Sequence, residues 1–176
     1  MIPIETAFFG LILLFGIIGA LRGWAKELLV AFAVILARFM EFVLWQYVPV
    51  VNSSLKQLEV TEPAIWFYVR ISLFIIIIAF GYATTVISAA LGGRARKDKF
   101  EDTLLGFFIG VVNGYLIAGT LWGFLAHKGY AIWGIVVPTS DLAIGILPYL
   151  PTAWLGGPLL FVAVALAFVF VLIVFV

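Results

Sequence analysis

The sequence has no cysteine and a single histidine among its 176 residues. The absence of cysteine excludes a disulfide framework, a thiolate nucleophile and a cysteine metal site. A glycine-rich phosphate loop is missing, as is a serine, histidine and aspartate set at a common membrane depth. We therefore predict a protein that is not an enzyme, with no metal site and no cofactor expected.

Charged residues are scarce, at 11% of the chain, and the formal net charge is only +1. Nucleic-acid binding needs a basic face that neutralises several phosphates, so no nucleic-acid partner is expected. Hydrophobic residues, in contrast, make up 65% of the chain, which is more than one soluble core could bury. At about 20 apolar residues per span, the length accommodates four or five membrane-spanning helices. The expected partners are membrane lipids and other membrane-protein subunits.

Five apolar stretches alternate with shorter polar ones, which predicts an all-α integral membrane protein of about five hydrophobic helices. The stretches cover residues of about 6–21, 28–48, 64–91, 104–126 and 153–176. The polar stretch of about 49–63 indicates a loop with one amphipathic turn. We interpret 1–126 as a four-helix membrane domain, 127–152 as an interfacial or re-entrant connection, and 153–176 as a C-terminal transmembrane helix.

The stretch 130–150 is apolar, but Pro138 and Pro148 interrupt it. Thr139 and Ser140 stand where N-caps would begin a short half-helix. We expect two short helical pieces that lie in the interface or form a broken, re-entrant segment, since irregular backbone at membrane depth must be covered by protein.

Lysine and arginine in short loops collect on the cytoplasmic side of a membrane. An N-terminus outside places six of these residues on the inner side and two on the outer side. The inner six are Arg22, Lys26, Arg94, Arg96, Lys97 and Lys99, and the outer two are Lys56 and Lys128. We therefore predict an outside N-terminus and a cytoplasmic loop at 92–102. The C-terminus is then inside, unless 130–150 crosses the membrane.

Glycines recur at intervals of four on the fourth predicted span, at Gly106, Gly110 and Gly114. Gly19 and Gly23 repeat the spacing at the end of the first span. Such a stripe lets another helix backbone approach closely. The partner helix belongs either to the same subunit or to a second copy or another protein.

Three polar side chains lie deep within predicted spans. Asn113 must find a hydrogen-bond partner, either on a neighbouring helix or along a polar pathway. Arg38 and Glu41 are three residues apart and share a helix face. We expect either a neutralised pair or contact with Arg70 or Glu62 at the start of the third span. The alternative is a functional site.

His127 ends the fourth span among Trp122, Tyr130 and Trp133, a composition typical of the interfacial aromatic belt. The same histidine is a candidate ligand for a haem or chlorophyll-type pigment. Gly123, four residues earlier, would give room for the macrocycle.

Charged motifs open the second and the fourth span. The first contains Arg22, Gly23, Lys26 and Glu27, and the second contains Asp102 and Gly106, with Gly110 and Gly114 beyond. Both lie on the predicted inner face, where opposite charges favour bridging between the two turns. Over residues of about 4–126 these motifs resemble the colicin V production protein family of bacterial inner-membrane proteins. Asn113 stands where that family commonly has an arginine, and Arg38 and Glu41 have no expected counterpart.

The resemblance implies a multi-pass protein of the bacterial inner membrane that acts in toxin (bacteriocin) production and export or in envelope homeostasis, as a channel-like or accessory component. A continuous polar path past Arg38, Glu41 and Asn113 would favour a channel. Two alternatives stay open. One is a structural subunit of a larger respiratory or photosynthetic complex, which would co-purify in fixed ratio, and the other is pigment or haem binding through His127.

Overall fold

The structure is a computed structural model, and it describes residues 3–83, 99–135, 137–138 and 140–175. Every regular element within these ranges is helical, and no strand occurs in them. Arg94, Arg96 and Lys97 of the predicted cytoplasmic loop lie outside the described residues, as does Thr139.

Nine α-helices occur in the described part of the chain. They are α1 (Ile4–Arg22), α2 (Trp24–Tyr47), α3 (Pro49–Thr61), α4 (Pro63–Ala83), α5 (Lys99–Phe124), α6 (Tyr130–Trp133), α7 (Asp141–Ile146), α8 (Pro151–Trp154) and α9 (Gly157–Phe175). A π-helical turn, Leu125–Gly129, joins α5 to α6, and a 3₁₀ turn, Leu147–Tyr149, follows α7.

Among the described residues, four helical stretches are long and apolar enough to cross a membrane: α1, α2, α4 and Lys99–Trp133, in which α5 continues into α6. A fifth arises if Asp141–Trp154 and Gly157–Ile173, which meet at 60°, count as one bent span. Large apolar side chains are exposed along these helices, as lipid contact requires. The prediction of an all-α integral membrane protein with about five hydrophobic helices and a broken segment is confirmed.

The polar stretch after α2 is a helix of 13 residues, α3, rather than the loop that the sequence indicates. Pro49 begins it at a position where the missing N–H has no helical partner to lose. Leu55 is buried in the core, whereas Lys56 and Gln57 are exposed. The burial of this one face stabilises α3, and the polar composition of the stretch does not indicate it.

The core forms where α2 packs between α4, α5 and α9. Val30 and Val34 of α2 are fully buried at its centre. Beside them Phe74 of α4 and Phe124 of α5 meet edge to face, with ring centroids 5.6 Å apart. This part of α2 is therefore apolar, with buried charged residues of α2 on either side of it.

The segment with α7 and α8 begins and ends in the same half of the bundle. Ser140 caps α7 by accepting the backbone N–H of Ala143 at 3.1 Å. Its hydroxyl donates to Glu5, in the first turn of α1, at 2.8 Å. Thr152 of α8 packs against Gly123, near the end of α5. Because the start of α1 and the end of α5 lie at the same end of the bundle, both ends of this segment lie on one side, as in an interfacial or re-entrant connection.

Helix α9 runs antiparallel to α2. The Phe161 ring contacts Phe42 and Phe39, with centroids 5.7 and 5.6 Å away. Further along, the Phe170 ring lies 5.4 Å from that of Phe32, closer to the start of α2. The final helix thus spans most of the length of α2 and ends near the turn between α1 and α2.

Candidate functional site

The inner cluster, named like the outer one below for the side of the membrane that the sequence predicts, consists of Arg22, Glu27 and Asn113, which come from α1, α2 and α5. Glu27 is fully buried. Arg22 Nη1 donates to Glu27 Oε1 at 2.8 Å, and Asn113 Nδ2 donates to Glu27 Oε2 at 2.9 Å and to its backbone oxygen at 2.8 Å. Each carboxylate oxygen therefore has a donor from a different neighbouring helix, which offsets the cost of burying the charge.

The turn between α1 and α2 is fixed by Asp102 at the start of α5. Its Oδ1 accepts the backbone N–H of Trp24 at 3.2 Å. Gly23 has a φ of +84°, a region that favours glycine, and a Cβ there would lie 2.8 Å from both carboxylate oxygens of Asp102. Bridging between the two motifs thus uses a backbone N–H. Lys26 is exposed and makes no ion pair with the described residues.

The glycine stripe of α5 packs against α1 of the same chain. A Cβ at Gly106 would overlap the backbone oxygen of Gly19. At Gly110 it would lie 3.0 Å from the Cα of Gly19, and at Gly114 it would lie 2.8 Å from the Cα of Ile12. Of the two interpretations of the stripe, the structure shows the first, helix packing within one subunit.

The outer cluster consists of Arg38, Glu41 and Arg70, from α2 and α4. The Glu41 carboxylate accepts from Arg38 Nη1 through one oxygen and from Arg70 Nε through the other. Arg38 and Glu41 are only 7% and 6% exposed. Both guanidinium groups lie over the Phe124 ring, with Cζ 5.6 and 4.1 Å from its centroid. Glu62 makes no ion pair within the described ranges.

The inner and outer clusters do not meet. Glu27 and Arg38 are eleven positions apart on α2, a rise of about 16 Å along the helix. Val30 and Val34 lie between them and are fully buried. On α2 the two clusters are therefore separated by apolar side chains, while on α5 the hydroxyl of Thr120, seven positions after Asn113, is buried between them.

A cavity of about 490 Å³ lies beside the outer cluster, and we refer to it as the outer cavity. Residues from α2, α3, α4, α8 and the end of the α5 span line it. They include Trp45, Glu59, Trp66, Arg70, His127 and Thr152.

Glu59 is a site residue that sequence analysis did not single out. Its carboxylate lies 3.1 Å from Lys128 Nζ and 3.3 Å from His127 Nε2. Partial burial favours a higher pKa for Glu59, but the hydrogen bonds and charges of Lys128 and His127 outweigh it and hold that pKa below its ordinary value. The spacing from Leu55, four residues earlier, places both on one helix face and could have indicated this position.

His127 is engaged by protein groups. Its Nε2 faces Glu59, and its ring centroid lies 5.6 Å from that of Trp66. At Gly123 an added Cβ would overlap the Thr152 side chain, so Thr152 fills the space suggested for a macrocycle. Pigment or haem ligation would require both contacts to open. Across the described ranges, no group of three or more His, Asp and Glu residues could hold a metal ion.

These elements define a multi-pass helical membrane protein, whose described residues include two buried charged clusters. The model of the Colicin V production protein family matches residues 4–132, which include α1, α2, α4 and α5. The chain therefore belongs to this family, which is not a known enzyme family. No curated protein and no solved structure matches the chain.

Proposed function

We propose that this chain is a non-enzymatic protein of the bacterial inner membrane that acts in bacteriocin-type toxin export or envelope homeostasis as an accessory component. Membership of the Colicin V production protein family supports a role in toxin production or export. The observation that carries the accessory role is the apolar layer of Val30 and Val34 between the two charged clusters. A pore for polar solutes built by one chain would need a row of polar groups there, beyond the buried hydroxyl of Thr120 on α5.

The family motif supports a structural contribution to that role. Arg22 and Glu27 pair inside the hairpin, and Asp102 fixes its turn from α5. Gly106 allows α1 and α5 to touch through their backbones. The motif thus joins three helices, while their outer apolar surfaces are left to lipids and partner membrane proteins.

A complementation assay tests the cellular role. The host is a bacterial strain that lacks its own family member and carries a colicin V export system. We expect the wild-type chain and Glu62→Gln, which changes an exposed carboxylate without an ion pair among the described residues, to restore toxin release or resistance to bile detergent. Glu27→Ala should restore neither. If the wild-type chain accumulates in the membrane but changes neither phenotype, the proposal is wrong.

Gentle extraction followed by native mass measurement separates the accessory role from the alternative of a respiratory or photosynthetic subunit. The proposal is supported if the chain is recovered as a monomer, as a closed homo-oligomer, or together with toxin-export components. Recovery in fixed ratio with subunits of an electron-transfer complex, with or without a coloured cofactor, would overturn it.

A further inference from the structure

The outer cluster carries a positive charge that the described residues do not neutralise. Arg38 and Arg70 share the single carboxylate of Glu41. Glu59, the carboxylate on the wall of the outer cavity, is already paired with Lys128 at 3.1 Å. An uncompensated guanidinium in an apolar span is costly, so the cluster favours an additional anion.

Arg70 has free donors at the outer cavity. Its Nε is bonded to Glu41, whereas neither Nη makes a hydrogen bond with a described residue. The Phe124 and Trp66 rings lie 4.1 and 5.1 Å from its Cζ and hold the guanidinium plane. A planar fork held in this way matches the oxygens of a phosphate or carboxylate group and loses little conformational freedom on binding.

A hydroxyl donor and an indole ring lie on the same wall. Trp66 is 3% exposed, and its indole N–H has no acceptor among the described residues. The Thr152 hydroxyl likewise has no hydrogen bond within the described part of the chain, although it lines the cavity. The Thr152 side chain is partly exposed, so its hydroxyl is open to a ligand in the cavity, whereas the enclosed Trp66 ring contributes apolar wall.

We propose that the outer cavity binds an oxyanion, a phosphate or carboxylate group, through the Arg70 fork and the Thr152 hydroxyl. The volume of about 490 Å³ exceeds that of the anion alone and falls within the range of ligand pockets. Trp45 and Trp66 provide apolar wall for the part of the ligand that carries the anion. The anion comes from a lipid headgroup or from a soluble solute. This binding does not depend on the proposed role in export.

Calorimetric titration of the purified full chain in a neutral detergent tests this site. The probes are dihexanoyl phosphatidylglycerol, dihexanoyl glycerol, which has the same acyl chains but no phosphate, and inorganic phosphate. Arg70→Gln removes the fork but leaves Arg38 and Glu41 as a neutral pair, so the variant should remain folded by circular dichroism. Lys56→Gln is the matched control, because it removes an exposed cation on α3 that has no ion pair with the described residues.

We expect the anionic probe to bind saturably and Arg70→Gln to weaken its binding by about tenfold or more, since hydrogen bonds to a charged group are lost. Lys56→Gln should change affinity by less than about twofold, because exposed charges contribute little. Binding of phosphatidylglycerol alone supports a lipid source, and binding of inorganic phosphate as well supports a soluble one. Equal binding of dihexanoyl glycerol, or unchanged affinity in Arg70→Gln, overturns the proposal. If Arg70→Gln fails to fold, Thr152→Val supplies the same comparison, with weaker binding expected and unchanged binding contradicting the site.

Discussion

At the scale of single residues, each buried carboxylate of a span is held by donors from another helix. Glu27 receives donors from α1 and α5, and Glu41 receives one from α4. A buried charge that loses a partner is more costly than an exposed one, because water does not replace the lost hydrogen bond. The hydrogen bonds of the two clusters therefore determine which helices can pack together.

The amide of Asn113 should contribute measurably to stability through Glu27. Asn113→Ala removes two hydrogen bonds to that residue, one of them to its charge. We expect the free energy of unfolding to fall by about 1–3 kcal/mol. Reversible unfolding in mixed micelles, monitored by tryptophan fluorescence, measures this change.

The control for Asn113→Ala is Gln57→Ala, which removes an exposed amide of α3 and should leave stability nearly unchanged. A double-mutant cycle with Glu27→Gln isolates the charged hydrogen bond. The loss from Asn113→Ala should be smaller in that background. An equal loss in both backgrounds would show that Asn113 acts through packing instead.

Sequence could indicate some of these partners and not others. Arg38 and Glu41 are three residues apart on one helix, so their pairing follows from helical geometry. Glu27 and Asn113 are separated by 86 positions, and only the packing of α2 against α5 brings them together. For the pair of Arg38 and Glu41, the sequence leaves both Arg70 and Glu62 open as further partners. Only the packing of α4 against α2 shows that the partner is Arg70.

At the scale of elements, the contact between α1 and α5 depends on missing side chains. Gly106→Ala places a Cβ against the backbone oxygen of Gly19, and neither helix can yield without separating. We expect a loss of about 1–3 kcal/mol of unfolding free energy, as for other overpacked cores. The same micelle titration measures it.

Gly10→Ala is the matched control for this substitution. Gly10 lies within α1, the helix that Gly106 contacts, but no atom comes within 4 Å of an added Cβ. Alanine favours helix more than glycine does, so this variant should be as stable as the wild type or slightly more stable. Equal destabilisation by both substitutions would contradict the close contact between α1 and α5.

The sequence predicts helix boundaries where its composition changes sharply. It does not predict a helix whose stability depends on the burial of one face. Uninterrupted apolar runs predict α1, α2, α4 and α5 because few other structures satisfy the backbone in lipid. Helix α3 was missed, because its stability comes from Leu55 and the other contacts of one face rather than from its overall composition. Ser140 was recognised as an N-cap, since capping is local chemistry.

At the scale of the whole molecule, the number of spans was predictable but the path of the chain through 130–150 was not. Prolines show that this segment is broken, yet they do not show on which side it returns. The contacts of Ser140 with Glu5 and of Thr152 with Gly123 place both ends of the re-entrant segment in one half. Those contacts depend on tertiary packing that no local pattern encodes.

This path gives a prediction for membrane orientation. Because the chain has no cysteine, single cysteines at Gln57 and Glu101 report the two ends of the bundle without background. Gln57 lies in α3 at the end of α2, and Glu101 lies beside the turn between α1 and α2. With the N-terminus outside, a membrane-impermeant maleimide should label Gln57→Cys in intact inner-membrane spheroplasts, and Glu101→Cys only after permeabilisation.

The position of the C-terminus tests the re-entrant segment independently of that labelling. Since α9 runs antiparallel to α2 and ends near the turn between α1 and α2, its end should share the side of Glu101. A green fluorescent protein fused after Val176 should therefore fluoresce, and an alkaline phosphatase at the same point should be inactive. The reverse result, with Glu101→Cys still protected, would mean that 130–150 crosses the membrane. Reversal of both readouts would instead mean that the whole bundle is inserted in the opposite orientation, with the re-entrant segment retained.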